Sequence, residues 1–143
     1  GSRSIAALGV AAHEAGHAIQ DAQDYAPLRI RANLVPVANI GSGMAIPLFM
    51  LGLLFSWEPL TKIGIFAFAF SVLFYLVTLP VEFNASRRAM VILRDANILY
   101  GEELSGAQKV LSAAALTYVA AVASSILQLL RLLLLTQRSN RRN

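Results

Sequence analysis

The chain of 143 residues contains no cysteine and only two histidines. Without cysteine no disulfide framework can form and no thiolate can bind a metal, so any bound ion must rely on His, Asp or Glu. Charge is scarce as well: 14% of residues are charged, against roughly a quarter in a soluble domain. Hydrophobic residues make up 57% of the sequence and mean hydropathy is +0.60, a balance that suits a lipid bilayer better than water. Lysine is nearly missing too, since ten of the twelve basic residues are arginine. They are scattered, with no basic stripe interleaved with aromatics, which argues against a nucleic-acid partner. Finally, "GSRSIAALG" has no secretory-signal pattern and runs straight into the histidine segment. The expectation is a piece of a longer chain whose preceding segment is missing or removed.

What the sequence does have is long apolar runs. Ala32–Trp57, Ile63–Val81 and Val110–Leu130 are free of charge over 26, 19 and 21 residues, enough to cross a hydrocarbon layer of ~30 Å as helices. Transmembrane helices are therefore expected over 37–56, 62–80 and 110–136. Pro47 predicts a kink in the first. Only "SWEPLTK" separates the first two, so they form a tight hairpin that returns the chain to its starting side.

Outside these spans, "SIAALGVAAHEAGHAIQDAQ" predicts a helix within region 1–31, opened by Ser2 or Ser4, ended before Pro27, and packing through Ile5, Leu8, Ala12, Ala15 and Ile19. Residues 82–104 predict a second amphipathic helix at the membrane surface, followed by a turn. Ser105 and Gln108 have capping-box spacing and predict the start of the last helix. Along that helix Thr117, Ala121, Ser124, Gln128 and Arg131 form a small and polar stripe expected to face other helices, with Arg131 snorkelling at the helix end. With no repeat or linker, the chain reads as a single all-α polytopic membrane domain, residues 1–143.

The two histidines carry the chemistry. His13 and His17 lie four apart, one turn of helix, so their imidazoles can converge on one ion, and Glu14 stands beside the first without occupying the same lobe of the metal. This is HExxH, in which two histidines bind zinc and the glutamate is general base. Hydrolytic zinc wants a third protein ligand and an open position. With no third His the ligand must be a carboxylate. Glu58 falls in the turn across the membrane, Glu102 and Glu103 beside a turn, and Asp21 is better placed to orient a ring nitrogen. Glu82, directly after "FYLVTLP" at the emerging end of the second span, is the expected ligand.

"VAAHEAGHAIQDAQDYAPLRIRANLVPVANIGS", "LVTLPVEFNASRRA" and "GAQKVLSAAALTYVAA" resemble the YugP-type membrane zinc metallopeptidases over essentially the whole chain. "EFNAS" is also similar to the Glu-aromatic-x-Ala-Asp box of HtpX-type gluzincins, where the Glu binds zinc and the Asp braces a zinc histidine. The resemblance implies Glu82 as third ligand to one zinc ion per chain, with Glu14 catalytic. Ser86 stands where that Asp would be, which leaves Ser86, Asn84 or Asp21 to brace a ligand. It further implies a bacterial inner-membrane peptidase acting on a peptide or protein substrate, ordinarily with an N-terminal span and substrate-lining segment that another chain would supply here.

For the oxyanion of such a reaction, Tyr118, Arg87 and Arg88 are the expected donors. Seven basic residues on the metal side against five on the other favour a cytoplasmic active site. A non-catalytic scaffold that keeps the motif and a metal-ion carrier are the alternative expectations.

Overall fold

The computed structural model describes residues 2–142, and these form four helices and no strand: α1 (Ser2–Ala22), α2 (Ala26–Leu54), α3 (Glu58–Asp95) and α4 (Gly101–Arg142). Three of them, α2, α3 and α4, are long and apolar enough to cross a membrane. The all-α polytopic architecture expected from the apolar runs is what the chain adopts.

Helix boundaries depart from expectation where local signals compete with continuity. Pro80 does not end the second span: α3 continues unbroken through it to Asp95, so the surface helix expected from residue 82 is the outer part of the same rod. A proline costs a helix one hydrogen bond and a clash one turn back, but in membrane helices neighbouring helices, hydroxyl side chains and small local adjustments re-satisfy the freed group, and breaking the helix would free more. Likewise α2 runs through Pro36 and Pro47. The last helix opens at Gly101, a turn before Ser105, so that serine lies inside the helix and caps nothing.

Three of the connections share one closure. Asp24, Ser56 and Asn97 each have a positive φ, and the next residue returns its N–H to a carbonyl five positions back: Tyr25 to Gln20, Trp57 to Gly52, Ile98 to Leu93. These are left-handed helix caps that satisfy otherwise orphaned carbonyls. They turn the chain within a few residues and leave no room for slack linkers.

The packing divides into two compact units. The first contains the chain up to Ile30 with Val77–Val119, and so joins α1 to the outer part of α3 and the first half of α4. Its core is Ala12, Ala89, Leu93, Leu99, Ala107 and Leu111, with Ile5, Met90 and Leu104 packed against it. On α1 the buried line is Gly9, Ala12, Gly16 and Gln20, while Leu8 is 38% exposed. Of the expected face, Ile5 and Ala12 join the core, Ala15 and Ile19 are half-buried, and Leu8 is exposed, so the buried line is rotated toward the glycines. Hydrophobicity misaims the face because the helix buries its smallest side chains to bring backbones together: a side chain at Gly16 would collide with the Ala85 carbonyl.

The second unit takes Arg31–Leu76 and the chain from Ala120 onward. Here α2 and α3 form the expected hairpin. Gly64 admits the backbone of Ala45 and Phe49, and Gly52 admits Thr61. Ala45 and Phe49 are fully buried, whereas Phe66 and Leu54 remain more than 70% exposed, as lipid-facing side chains would be.

Candidate metal centre

Helix α1 presents His13 and His17 on one side, with rings 4.6 Å apart and nearly perpendicular. Helix α3 presents Glu82 to both. One carboxylate oxygen lies 2.8 Å from His13 Nε2 and the other 3.4 Å from His17 Nε2. Glu82 is only 5% exposed. These three side chains are the described His and carboxylate residues that converge within 4.8 Å, the spacing expected of donors that share an ion at about 2.0–2.2 Å from each.

The other ring nitrogens are held in place. His13 Nδ1 lies 3.0 Å from Ser86 Oγ, and His17 Nδ1 lies 2.9 Å from Gln20 Oε1. Gln20 is fully buried, and its amide nitrogen donates to the Val81 carbonyl at 2.9 Å and to Asn84 Oδ1 at 3.0 Å. Asn84 Oδ1 also accepts from Arg88 Nε at 2.7 Å.

This network fixes a tautomer. A backbone carbonyl can only accept, so the Gln20 nitrogen must face Val81 and its oxygen must face His17. An amide oxygen can only accept, so His17 Nδ1 carries a proton and donates it. A neutral His17 then directs the lone pair of Nε2 at an oxygen of Glu82, acceptor against acceptor. That arrangement needs a proton or a metal ion between the two groups, and two imidazoles with one carboxylate match zinc in both number and donor type.

The residues singled out from the sequence divide into those the fold brings to this centre and those it does not. His13, His17 and Glu82 converge. Ser86 touches His13, and Asn84 reaches the centre one step removed, through Gln20. Asp21 does neither: it is exposed, and Gln20 one position earlier takes the bond to His17 because it lies on the buried line of α1. Gln20 was missed; the signal available was a polar residue continuing the spacing of Gly9, Ala12 and Gly16.

A cavity of about 230 Å³ opens beside the centre, lined by His13, Glu14, Glu82, Ser86 and Tyr118 among others. Glu14 is exposed and reaches this cavity without joining the three converging groups. Of the three expected oxyanion donors only Tyr118 lines it. Arg87 faces a separate groove between α3 and α4. Arg88 is committed to Asn84 and to Gln23 Oε1 at 2.8 Å, with its guanidinium 5.9 Å from the Tyr25 ring.

Two imidazoles and one buried carboxylate able to hold a metal ion are thus carried by a chain with three helices able to cross a membrane. The chain belongs to the family described as "putative neutral zinc metallopeptidase", which matches residues 1–137. It is also 47% identical over 133 residues to the "Putative membrane protease YugP" of Bacillus subtilis (strain 168), an alignment that takes in 93% of this chain and 59% of that relative. The chain thus spans less than two thirds of the length of the relative it matches. No solved structure matches it.

Proposed function

We propose that the chain forms the metal centre of a membrane zinc peptidase, holds one zinc ion through His13, His17 and Glu82, and hydrolyses peptide bonds in membrane-associated or unfolded proteins. The observation that carries this reading is the convergence of His13, His17 and Glu82, with both imidazoles facing the buried carboxylate and His17 held by the Gln20 network. Zinc at that point would supply Lewis acidity, polarising a scissile carbonyl and acidifying a water.

The remaining steps belong to the chain's own residues. Glu14 lies on the cavity wall next to His13, suited to take a proton from the attacking water and deliver it to the leaving amine. Tyr118 stands on the same wall and is suited to donate its hydroxyl to the developing oxyanion. Ser86 and Gln20 hold the two imidazoles at fixed angles, so that neither ring has to reorganise during the reaction. By the balance of basic residues the site faces the cytoplasm of a bacterial inner membrane. The rest of the peptidase, including a segment that aligns substrate, would come from sequence beyond this stretch or from another chain.

The test is Glu14→Gln in the full-length protein, in detergent, against an unfolded membrane protein. The variant should keep its zinc and lose cleavage by about 10²–10⁴-fold, the usual worth of a positioned general base. Equal cleavage by both forms removes Glu14 from this role, and no cleavage by the unmodified protein points to a scaffold.

A further inference from the structure

In the second unit, the α4 stripe of Ala121, Ser124, Gln128 and Arg131 lines a cavity of about 520 Å³ together with Ser42 of α2 and Ser71 of α3. The packed face of α4 runs instead through Val122, Ser125 and Leu132, and Thr117, Ala121, Ser124 and Arg131 of the expected stripe remain exposed, so the stripe borders an open cavity rather than a helix contact. Its level relative to the polar boundary can be read from a smaller pocket, where Thr136, Ser139 and Asn140 of α4 meet Ser56 and Glu58 at the α2 to α3 turn. Arg131 precedes Thr136 by five residues, about 8 Å further into the apolar run. Between the two, Leu133, Leu134 and Leu135 are each at least 40% exposed and apolar.

An arginine at this depth can escape by stretching toward the near surface. Arg131 does the opposite. It donates to Gln128 Oε1 at 3.1 Å, one turn deeper. The reason is geometric: helical side chains slope toward the N-terminus, and here the N-terminal direction leads away from the near boundary. Among the described residues no carboxylate pairs with it. The Ser71 and Ser125 hydroxyls donate inside their own helices, to the Ala67 and Val122 carbonyls, and neither is bonded to Arg131. A guanidinium has five N–H donors and a full charge, and one neutral amide answers only one of them.

We propose that this cavity seats a transmembrane helix of another protein, one whose apolar span carries an Asp or Glu that pairs with Arg131. Charges within a membrane pair with one another or mark a functional path, and the planar guanidinium matches a carboxylate through two parallel bonds. The counter-charge has to come from outside this stretch, because the apolar windows of α2, α3 and α4 contain no acidic residue; of those at their ends, Glu82 belongs to the metal centre and Glu58, in the α2 to α3 turn, pairs with Lys62. A second copy of this stretch therefore brings no carboxylate to the required depth. Ser42, Ser71, Ala121 and Ser124 are small, which allows a visiting backbone to approach closely. The cavity extends inward from Arg131 to Ala121, ten residues or about 15 Å of helix, which suits a helix better than a headgroup confined to the surface.

The proposal is tested with the full-length protein carrying Glu14→Gln, in vesicles of zwitterionic phospholipid. The probe is a labelled leucine and alanine transmembrane peptide with a single Glu at the depth of Arg131, its binding read by energy transfer. No cleavage is measured, so the outcome is separate from the peptidase reading. The Glu peptide should bind roughly tenfold more tightly than the same peptide with Leu, the scale of one polar pair between membrane helices. Arg131→Leu should erase that preference, Arg131→Lys should keep most of it, and Arg131→Glu should transfer it to a Lys-bearing peptide, which also shows that the variants fold. Equal binding of the Glu and Leu peptides, or a preference that survives Arg131→Leu, overturns the proposal. So does loss of the preference in anionic phosphatidylglycerol vesicles with the unmodified Arg131, which assigns the site to a lipid headgroup.

Discussion

Each of the two units contains a place where one helix backbone lies directly against another, and each uses a glycine to reach it. In the first, Gly16 of α1 meets Ala85 of α3; in the second, Gly64 of α3 meets Ala45 and Phe49 of α2. The surroundings differ. Around Gly64 the buried neighbours are apolar, Ala45 and Phe49. Around Gly16 the contact with Ala85 is bordered by buried polar groups, Gln20 and Glu82, linked through His17, with His13, Ser86 and Asn84 at the edge. The same device therefore serves adhesion in one unit and positioning in the other. Glu82 can meet both imidazoles because Gly16 allows α1 to sit on α3 at Ala85, three residues further along.

The sharpest way to break the comparison is Gly16→Val. Its side chain would strike a backbone carbonyl that cannot rotate away, so zinc binding should be lost, as measured by metal content after purification. Gln20→Ala should act more mildly. It leaves the ligands in place but frees the His17 ring, so zinc affinity should fall by about 10–100-fold in a chelator competition. Gly64→Ala should cost about 1–3 kcal/mol of stability by overpacking, read from denaturant unfolding, while zinc affinity holds. Gly43→Ala is the smallest change. Nothing lies within 4 Å of a Cβ there, so only the gain in helix propensity remains, up to about 1 kcal/mol of added stability. Were Gly64→Ala to lower zinc affinity as much as Gln20→Ala, the division of labour between the two contacts would be wrong.

The same comparison explains what could be read in the sequence. The apolar runs show three spans because lipid imposes a length and a composition on any helix that crosses it. His13, Glu14 and His17 were legible because a metal site within one helix has a fixed spacing, and Glu82 because a carboxylate at the end of an apolar run is costly without a purpose. Hidden from view were the features decided by the approach of two helices. Gly16 looks like any weak helix former until Ala85 is placed against it. Gln20 is a polar residue near a helix end until the helix is rotated so that its buried line is Gly9, Ala12 and Gly16. Asp21, four residues after His17, has the spacing to reach its ring, yet it is exposed. The continuity of α3 through Pro80 was obscured for a related reason, since proline is tolerated inside a membrane helix where packed neighbours re-satisfy the freed group, and those neighbours are known only from the fold.

The central claim is that His13, His17 and Glu82 share one ion. Zinc stoichiometry of the purified full-length protein and of Glu82→Ala, measured by elemental analysis after dialysis against a weak chelator, tests it most directly. The account predicts about one zinc per chain in the unmodified protein and almost none in the variant, because removing the carboxylate leaves only two ligands. Full retention of zinc by Glu82→Ala, with the fold intact by circular dichroism, would contradict it.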